Sequence, residues 1–148
     1  MENVKYVRIN ISDAESVHAI EKECFKDPWS VLSVENELKN PNAFYIGVVD
    51  TENNVLIGYA GFRIIIDEIE IMRVAVRPAY RRNGFAAKML RKLESEWIDY
   101  DVVSAMLEVR EGNIAARTLY ESLGFVPEFV RKGYYSDGEN AVLMKKNY

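Results

Sequence analysis

Hydrophobic positions along the chain recur with two periods, close to two and close to 3.6, and the points where one gives way to the other predict the elements. Val4 to Ile9 reads as a first strand. Ser12 with Glu15 three residues on is a capping-box pattern, and Ala14, Val17, Ile20 and Phe25 form the apolar stripe of the helix it opens. That helix stops before Pro28, Ser30 is placed to cap a second short helix to about Lys39, and Asn40-Pro41-Asn42 forces a turn. Strands follow over Ala43–Val49 and Val55–Ile66, joined by the polar run Asp50-Thr51-Glu52-Asn53-Asn54, and another begins near Glu68. In this last strand Ile69 and Ile71 occupy one parity while Val74 and Val76 occupy the other. Strand side chains alternate strictly, so the slip predicts a bulge near Met72-Arg73.

The second half repeats a strand–helix–strand rhythm. A helix from about Gly84 to Tyr100 aligns Phe85, Met89, Leu90, Leu93 and Trp97 on one face. A strand over Val102–Val109 leads through Arg110-Glu111-Gly112 to Asn113, which caps a helix to Leu123, and Gly124 ends it. Phe125–Val130 and Ala141–Lys145 read as a closing antiparallel pair. The sum is a mixed α/β fold with two strand–helix–strand units, expected to form one domain over residues 1–148.

Composition removes several classes of function. The 148 residues are 49% hydrophobic and 28% charged, an ordinary globular balance, with no Gly/Ser-rich or Pro-rich linker and no internal repeat. No apolar run approaches the ~20 residues of a membrane span, and MENVKYVRIN lacks a signal-peptide core, so no membrane association and a cytoplasmic location are expected. The single Cys24 and single His18 offer no internal disulfide, no zinc site and no Cys-His pair, so no metal is expected, and both should pack on the first helix. A net charge of −4 argues against nucleic acid as a partner.

Against that acidic balance, Ile71–Leu93 holds seven of the nineteen Lys and Arg residues and no Asp or Glu: Arg73, Arg77, Arg81, Arg82, Lys88, Arg91 and Lys92. Within it, Arg81-Arg82-Asn83-Gly84 opens directly into a helix. Helix N-termini leave N–H groups unpaired and carry partial positive charge, and glycine there lets an anion reach the main chain. The stretch therefore reads as a phosphate seat or as a solvated basic helix start. Phe25-Lys26-Asp27-Pro28-Trp29-Ser30 also has two readings, apolar plugs closing a helical hairpin or an aromatic wall for a bound peptide.

Arg81-Arg82-Asn83-Gly84-Phe85-Ala86 resembles the acetyl-CoA pyrophosphate loop of the GNAT N-acetyltransferase superfamily: Arg or Gln, two residues, Gly, one residue, Gly or Ala. Asp27-Pro28-Trp29-Ser30, Leu107-Glu108-Val109-Arg110, Asn113, Leu119–Phe125 and Tyr134-Tyr135 before Asp137-Gly138 are similar to the RimI-type ribosomal-protein-alanine N-acetyltransferases, in order from Phe25 to Met144. The resemblance implies the GNAT acyl-CoA N-acyltransferase fold, a mostly antiparallel sheet with its fourth and fifth strands parallel, flanked by helices. It implies acetyl-CoA as cosubstrate, its pantetheine along Val74-Ala75-Val76 and its pyrophosphate at Arg81, Arg82, Asn83, Gly84, Phe85, Ala86 and Ala87, with Asn113 both capping a helix and touching the cofactor. The acceptor it implies is a protein N-terminus, the N-terminal alanine of a small-subunit ribosomal protein, held by Phe25, Pro28, Trp29, Tyr134 and Tyr135. Two adjacent strand tyrosines would point to opposite faces, leaving at least one exposed.

The same resemblance gives Glu108 the role of general base, acting through water, and Tyr120 that of general acid, with Glu68 and Glu70 as rival bases. Without it, Glu108 reads as a solvated strand-end carboxylate and Tyr120 as a sheet-packing helix residue. Lysine or small-amine acetylation and a CoA-binding module without turnover are the alternatives. An α-amine has a pKa of ~8 against ~10.4 for lysine, so its neutral fraction at pH 7 is larger by roughly a few hundredfold. That difference favours the protein N-terminus.

Overall fold

Residues 3–148 are described by the computed structural model. In chain order the elements are β1 (Val4–Arg8), α1 (Ala14–Cys24), α2 (Val31–Lys39), β2 (Ala43–Asp50), β3 (Val55–Ile65), β4 (Glu68–Val76), α3 (Phe85–Trp97), β5 (Ser104–Arg110), α4 (Ile114–Ser122), β6 (Val126–Arg131) and β7 (Ala141–Asn147). The strands form one seven-stranded sheet ordered β1-β2-β3-β4-β5-β7-β6. β4 and β5 run parallel and every other neighbouring pair is antiparallel.

Each sheet face has its own helices. The stripe Phe85, Met89, Leu90, Leu93 and Trp97 buries α3 against one face, where Trp97 meets Phe62 edge-on at 5.0 Å. Each such side chain withdrawn from water contributes about 1.5–3 kcal/mol, which makes this the principal core. On the opposite face Val17 and Ile20 of α1 and Val34 of α2 pack with Tyr45, Tyr59 and Ala75.

The parity slip in β4 is a bulge. Gly61 pairs with Arg73 and the next residue, Phe62, pairs with Ile71, which leaves Met72 as the extra residue. Ile69 and Ile71 join the α3-side core, Met72 packs with the α1-side core, Arg73 reaches Glu21 of α1, and Val74 and Val76 return to the α3 side. β4 and β5 pair only from Glu68–Glu70 to Ser104–Met106. Beyond that the strands separate, and a cleft opens at their carboxyl ends, where ligands of parallel α/β units bind.

Three expectations are corrected. The first helix is entered through Asn10, not Ser12: Asn10 and Asp13 form the capping box around a 3₁₀ turn at Ile11–Asp13. Tyr134 and Tyr135 lie in the connection between the last two strands, as the strand bounds imply, and Tyr134 is exposed as expected, but their rings pack edge to face at 5.1 Å instead of pointing apart. The 84–100 helix ends at Trp97, and the strand after it begins at Ser104. Ser30 and Asn113 cap their helices as expected. His18 and Cys24 do lie on α1, with His18 Nδ1 2.8 Å from the Trp29 carbonyl and Cys24 Sγ 3.4 Å from that of Val76. No helix among the described residues is long and apolar enough to cross a membrane, and they contain no cluster of three or more metal-ligating side chains.

Candidate active site

The chain leaves β4 through a turn at Pro78–Tyr80 and reaches α3 with Arg82 at φ 67° and Gly84 at φ 76°. Gly84 is the residue before the first turn of α3, in a left-handed conformation that glycine adopts without penalty, and a Cβ built on it would meet nothing within 4 Å. Open space thus lies against a helix start whose amides are unpaired. It belongs to a cavity of about 530 Å³ lined by Val74, Ala75, Val76, Arg81, Arg82, Gly84, Phe85, Ala86, Ala87 and Asn113. Asn83 stays outside it and ties the loop down, its Nδ2 donating to the Tyr80 carbonyl at 2.9 Å.

Of the seven basic residues in the window, only Arg81 and Arg82 line this cavity. Arg77 donates to the Leu56 carbonyl at 2.8 Å and pairs with Glu23, while Lys92 sits over the Tyr6 ring. Much of the basic run therefore serves packing.

A second cavity, of about 320 Å³, adjoins the first and is lined by Phe25, Asp27, Arg73, Glu108, Arg110 and Tyr135 among others. Alternation along β5 explains Glu108: Leu107 and Val109 enter the α3-side core, which turns Glu108 to the other face. Its Oε1 lies 3.6 Å from Arg131 Nε, and its Oε2 is buried without a partner. Val74, Asn113, Cys24, Phe25 and Tyr120 line both cavities and so mark where they meet. Tyr120 is 8% exposed, and burial, with a smaller contribution from Tyr135, pushes its phenol up to about 12. At neutral pH it is a proton donor held at the junction. A carboxylate on one side, a protonated phenol between and a helix N-terminus beyond form an arrangement able to move two protons beside a bound anion.

The smaller cavity is bordered by two loops that clasp each other. Lys26 Nζ donates to Asp137 at 2.8 Å, Ser136 donates to Asp27, and Arg110 binds Asp137 and Glu139 while lying 4.1 Å over the Tyr135 ring. Arg73 is stacked between the rings of Phe25 and Trp29, at 4.1 and 4.5 Å. Of the residues assigned to the acceptor, Phe25 and Tyr135 line this cavity, whereas Pro28, Trp29 and Tyr134 do not. Tyr134 is 52% exposed, close enough to Glu108 that the carboxylate charge is the main cause raising its phenol pKa. Glu68 and Glu70 line neither cavity.

Sequence reasoning passed over Glu21, named Lys26, Asp27, Arg110 and Asp137 only as members of motifs without a role, and named Arg73 only at the bulge and as one basic residue among seven. For Arg73 the signal was present, because the parity slip that predicts the bulge also turns this side chain toward α1. The others are joined by contacts between distant loops, which leave no periodicity.

The sequence model of the acetyltransferase (GNAT) family matches residues 14–125. The ribosomal protein bS18-alanine N-acetyltransferase of Haemophilus influenzae is 37% identical over 141 residues, 93% of this chain and 94% of that protein. The corresponding protein of Escherichia coli K12 is 32% identical over 139 residues, 92% of each chain. The crystal structure of the Escherichia coli ribosomal-protein-alanine N-acetyltransferase superposes with a TM-score of 0.88, covering 97% of this chain and 93% of that one, at 28% identity.

Proposed function

The chain belongs to the acetyltransferase (GNAT) family, and from that premise we propose that it moves acetyl from acetyl-CoA to the α-amine of a protein N-terminus, that of a ribosomal protein beginning with alanine. The observation that carries this reading is the pair of cavities meeting at Tyr120, one ending on the α3 N-terminus and the other on Glu108. The relatives' acceptor, alanine of ribosomal protein bS18, supports the substrate class, and in this reading residues 1–148 act as one catalytic domain in the cytoplasm.

In this reading the larger cavity takes the cosubstrate. Amides of residues 82–87 and the side chains of Arg81 and Arg82 hold the pyrophosphate, Asn83 shapes the loop, and the edge of β4 at Val74-Ala75-Val76, freed from β5, pairs with the pantetheine arm. Asn113 borders both ligands while accepting from Ala116 N–H at 3.2 Å. The acceptor enters the smaller cavity between the Phe25–Trp29 loop and Tyr134-Tyr135.

The amine nitrogen attacks the thioester carbon, the C–N bond forms and the C–S bond breaks. Glu108 takes the amine proton through water, and Tyr120 gives its proton to the departing sulfur. A phenol near 12 is a weaker acid than a thiol at ~8.5 in water, yet the burial that raises one also raises a thiolate leaving beside it. The donor therefore works where the sulfur is equally short of water. Release of free thiol on adding a peptide that begins with alanine tests the proposal, and comparison with a peptide whose only amine is a lysine side chain separates the two acceptor classes.

A further inference from the structure

Four buried side-chain nitrogen or oxygen atoms among the described residues lack a hydrogen-bond partner: Tyr6 Oη, Arg73 Nε, Glu108 Oε2 and Arg117 Nε. Two of them, on Arg73 and Glu108, belong to residues lining the same cavity, and one is a donor while the other is an acceptor. Buried polar groups are rarely left unpaired. Both atoms are covered, so what the two residues offer the cavity is the rest of their polar surface, a donor on Arg73 and an acceptor on Glu108, which suits a ligand that carries both complementary groups.

Arg73 is fixed before any ligand arrives. The bulge turns it toward α1, the two aromatic rings sandwich its guanidinium, and Nη2 donates to Glu21 Oε1 at 3.1 Å and to the Asp27 carbonyl at 3.4 Å. Glu21 is wholly buried and is itself held by the Trp29 N–H at 2.8 Å and by the Tyr59 hydroxyl. These bonds occupy a single nitrogen of the guanidinium; among the described residues Nε and Nη1 have no acceptor, and of the two only Nε is covered, which leaves Nη1 to donate to a ligand. A donor whose orientation is already set loses little freedom on binding.

We infer that Arg73 donates to the first carbonyl oxygen of the acceptor polypeptide while Glu108 faces its α-amine, so that the two residues together read the terminal aminoacyl unit. This rests on the function proposed above and adds the residue that recognises the acceptor's first carbonyl. In a terminal residue one carbon separates the amine from the carbonyl, so a single aminoacyl unit presents both complementary groups. A lysine ε-amine has no carbonyl at that separation and leaves Arg73 unpaired. A site built to hydrogen-bond a substrate group discriminates strongly against an analogue that lacks it.

The test compares kcat/KM for an alanine-initiated peptide with that for its (E)-alkene isostere, in which the first amide is replaced by CH=CH. The changed basicity of the amine is common to all enzymes compared and cancels when their amide-over-alkene preferences are divided. Loss of a charged hydrogen bond should reduce that preference at least ~10-fold in Arg73→Met. The double variant Glu21→Gln/Arg73→Met removes the buried ion pair together and should show the same reduction, with acetyl-CoA affinity by calorimetry reporting an intact fold. A purely structural Arg73 lowers both rates equally, and an unchanged preference in the folded variants overturns the inference. A wild-type protein that leaves the amide peptide unacetylated overturns the proposed function, and this inference with it.

Discussion

Gly84→Glu places a carboxylate where the cosubstrate's pyrophosphate is proposed to sit. Gly84 has φ 76°, and its missing Cβ points into open space bordering the larger cavity. Any non-glycine residue there carries a left-handed backbone penalty of about 1–2 kcal/mol, which appears as lower stability. The binding penalty is separate. A carboxylate roughly 5 Å from one phosphate charge is repelled by ~0.8 kcal/mol in water and by ~3 kcal/mol at an effective dielectric constant of ~20, and two phosphate charges double both values. Affinity for CoA should therefore fall between about 10-fold and about 10⁴-fold. Calorimetric titration with CoA reads this directly, and Gly84→Ala, which shares the backbone penalty without the charge, should lose much less. Because the site is open to solvent, added salt should narrow the gap between the variants. A folded Gly84→Glu protein with wild-type affinity would show that the α3 N-terminus is not the anion seat.

Tyr120→Phe should lower kcat with little change in either KM, and its defect should persist to pH 9–10 because a phenol near 12 is still protonated there; full activity in a pH-rate profile would mean that the thiolate leaves without this donor. Substituting Tyr134 and Tyr135 by Ala should raise the peptide KM by about 10-fold while leaving that for acetyl-CoA, with Tyr135, which lines the cavity, contributing more than the exposed Tyr134. Asp137 is held well below the usual carboxylate range, chiefly by its bond from Lys26, with the Glu139 N–H and Arg110 adding. A depressed pKa stabilises above the ordinary carboxylate value and is lost only as pH falls through the lowered one, so the clasp between the two loops should be unchanged from pH 7 to 5. Hydrogen exchange over residues 132–140 should show equal protection at both values and faster exchange at both in Asp137→Asn.

How much of this was legible depends on how local the cause is. The bulge showed as a change of parity between Ile71 and Val74, and the caps at Ser30 and Asn113 and the stop at Gly124 each depend on neighbours within four residues. The entry to α1 was missed because Asn10-x-x-Asp13 and Ser12-x-x-Glu15 are equally valid capping frames, and the choice falls to packing of Val17 and Ile20 on the sheet. The ring directions of Tyr134 and Tyr135 were misread because their loop is shaped by distant partners: Gly112 N–H on Glu139, Arg110 on Asp137 and Lys26 across the mouth. Glu21 illustrates the limit most plainly. Nothing in its local sequence distinguishes a buried glutamate, and it is buried because Tyr59, Arg73 and the Trp29 amide converge on it from three segments.

The central claim, that this chain acetylates a protein α-amine with Glu108 as base, is tested most directly by thiol release from acetyl-CoA with an alanine-initiated peptide, for wild type and Glu108→Gln across pH 7 to 9.5. The expected result is turnover by the wild type and a loss of roughly 10²–10⁴-fold in kcat/KM for the variant at pH 7. That loss should shrink as pH passes the ~8 of the amine, since a neutral nucleophile needs no base. No thiol release by the wild type would contradict the function, and a deficit that stays constant across the range would contradict Glu108 as the base.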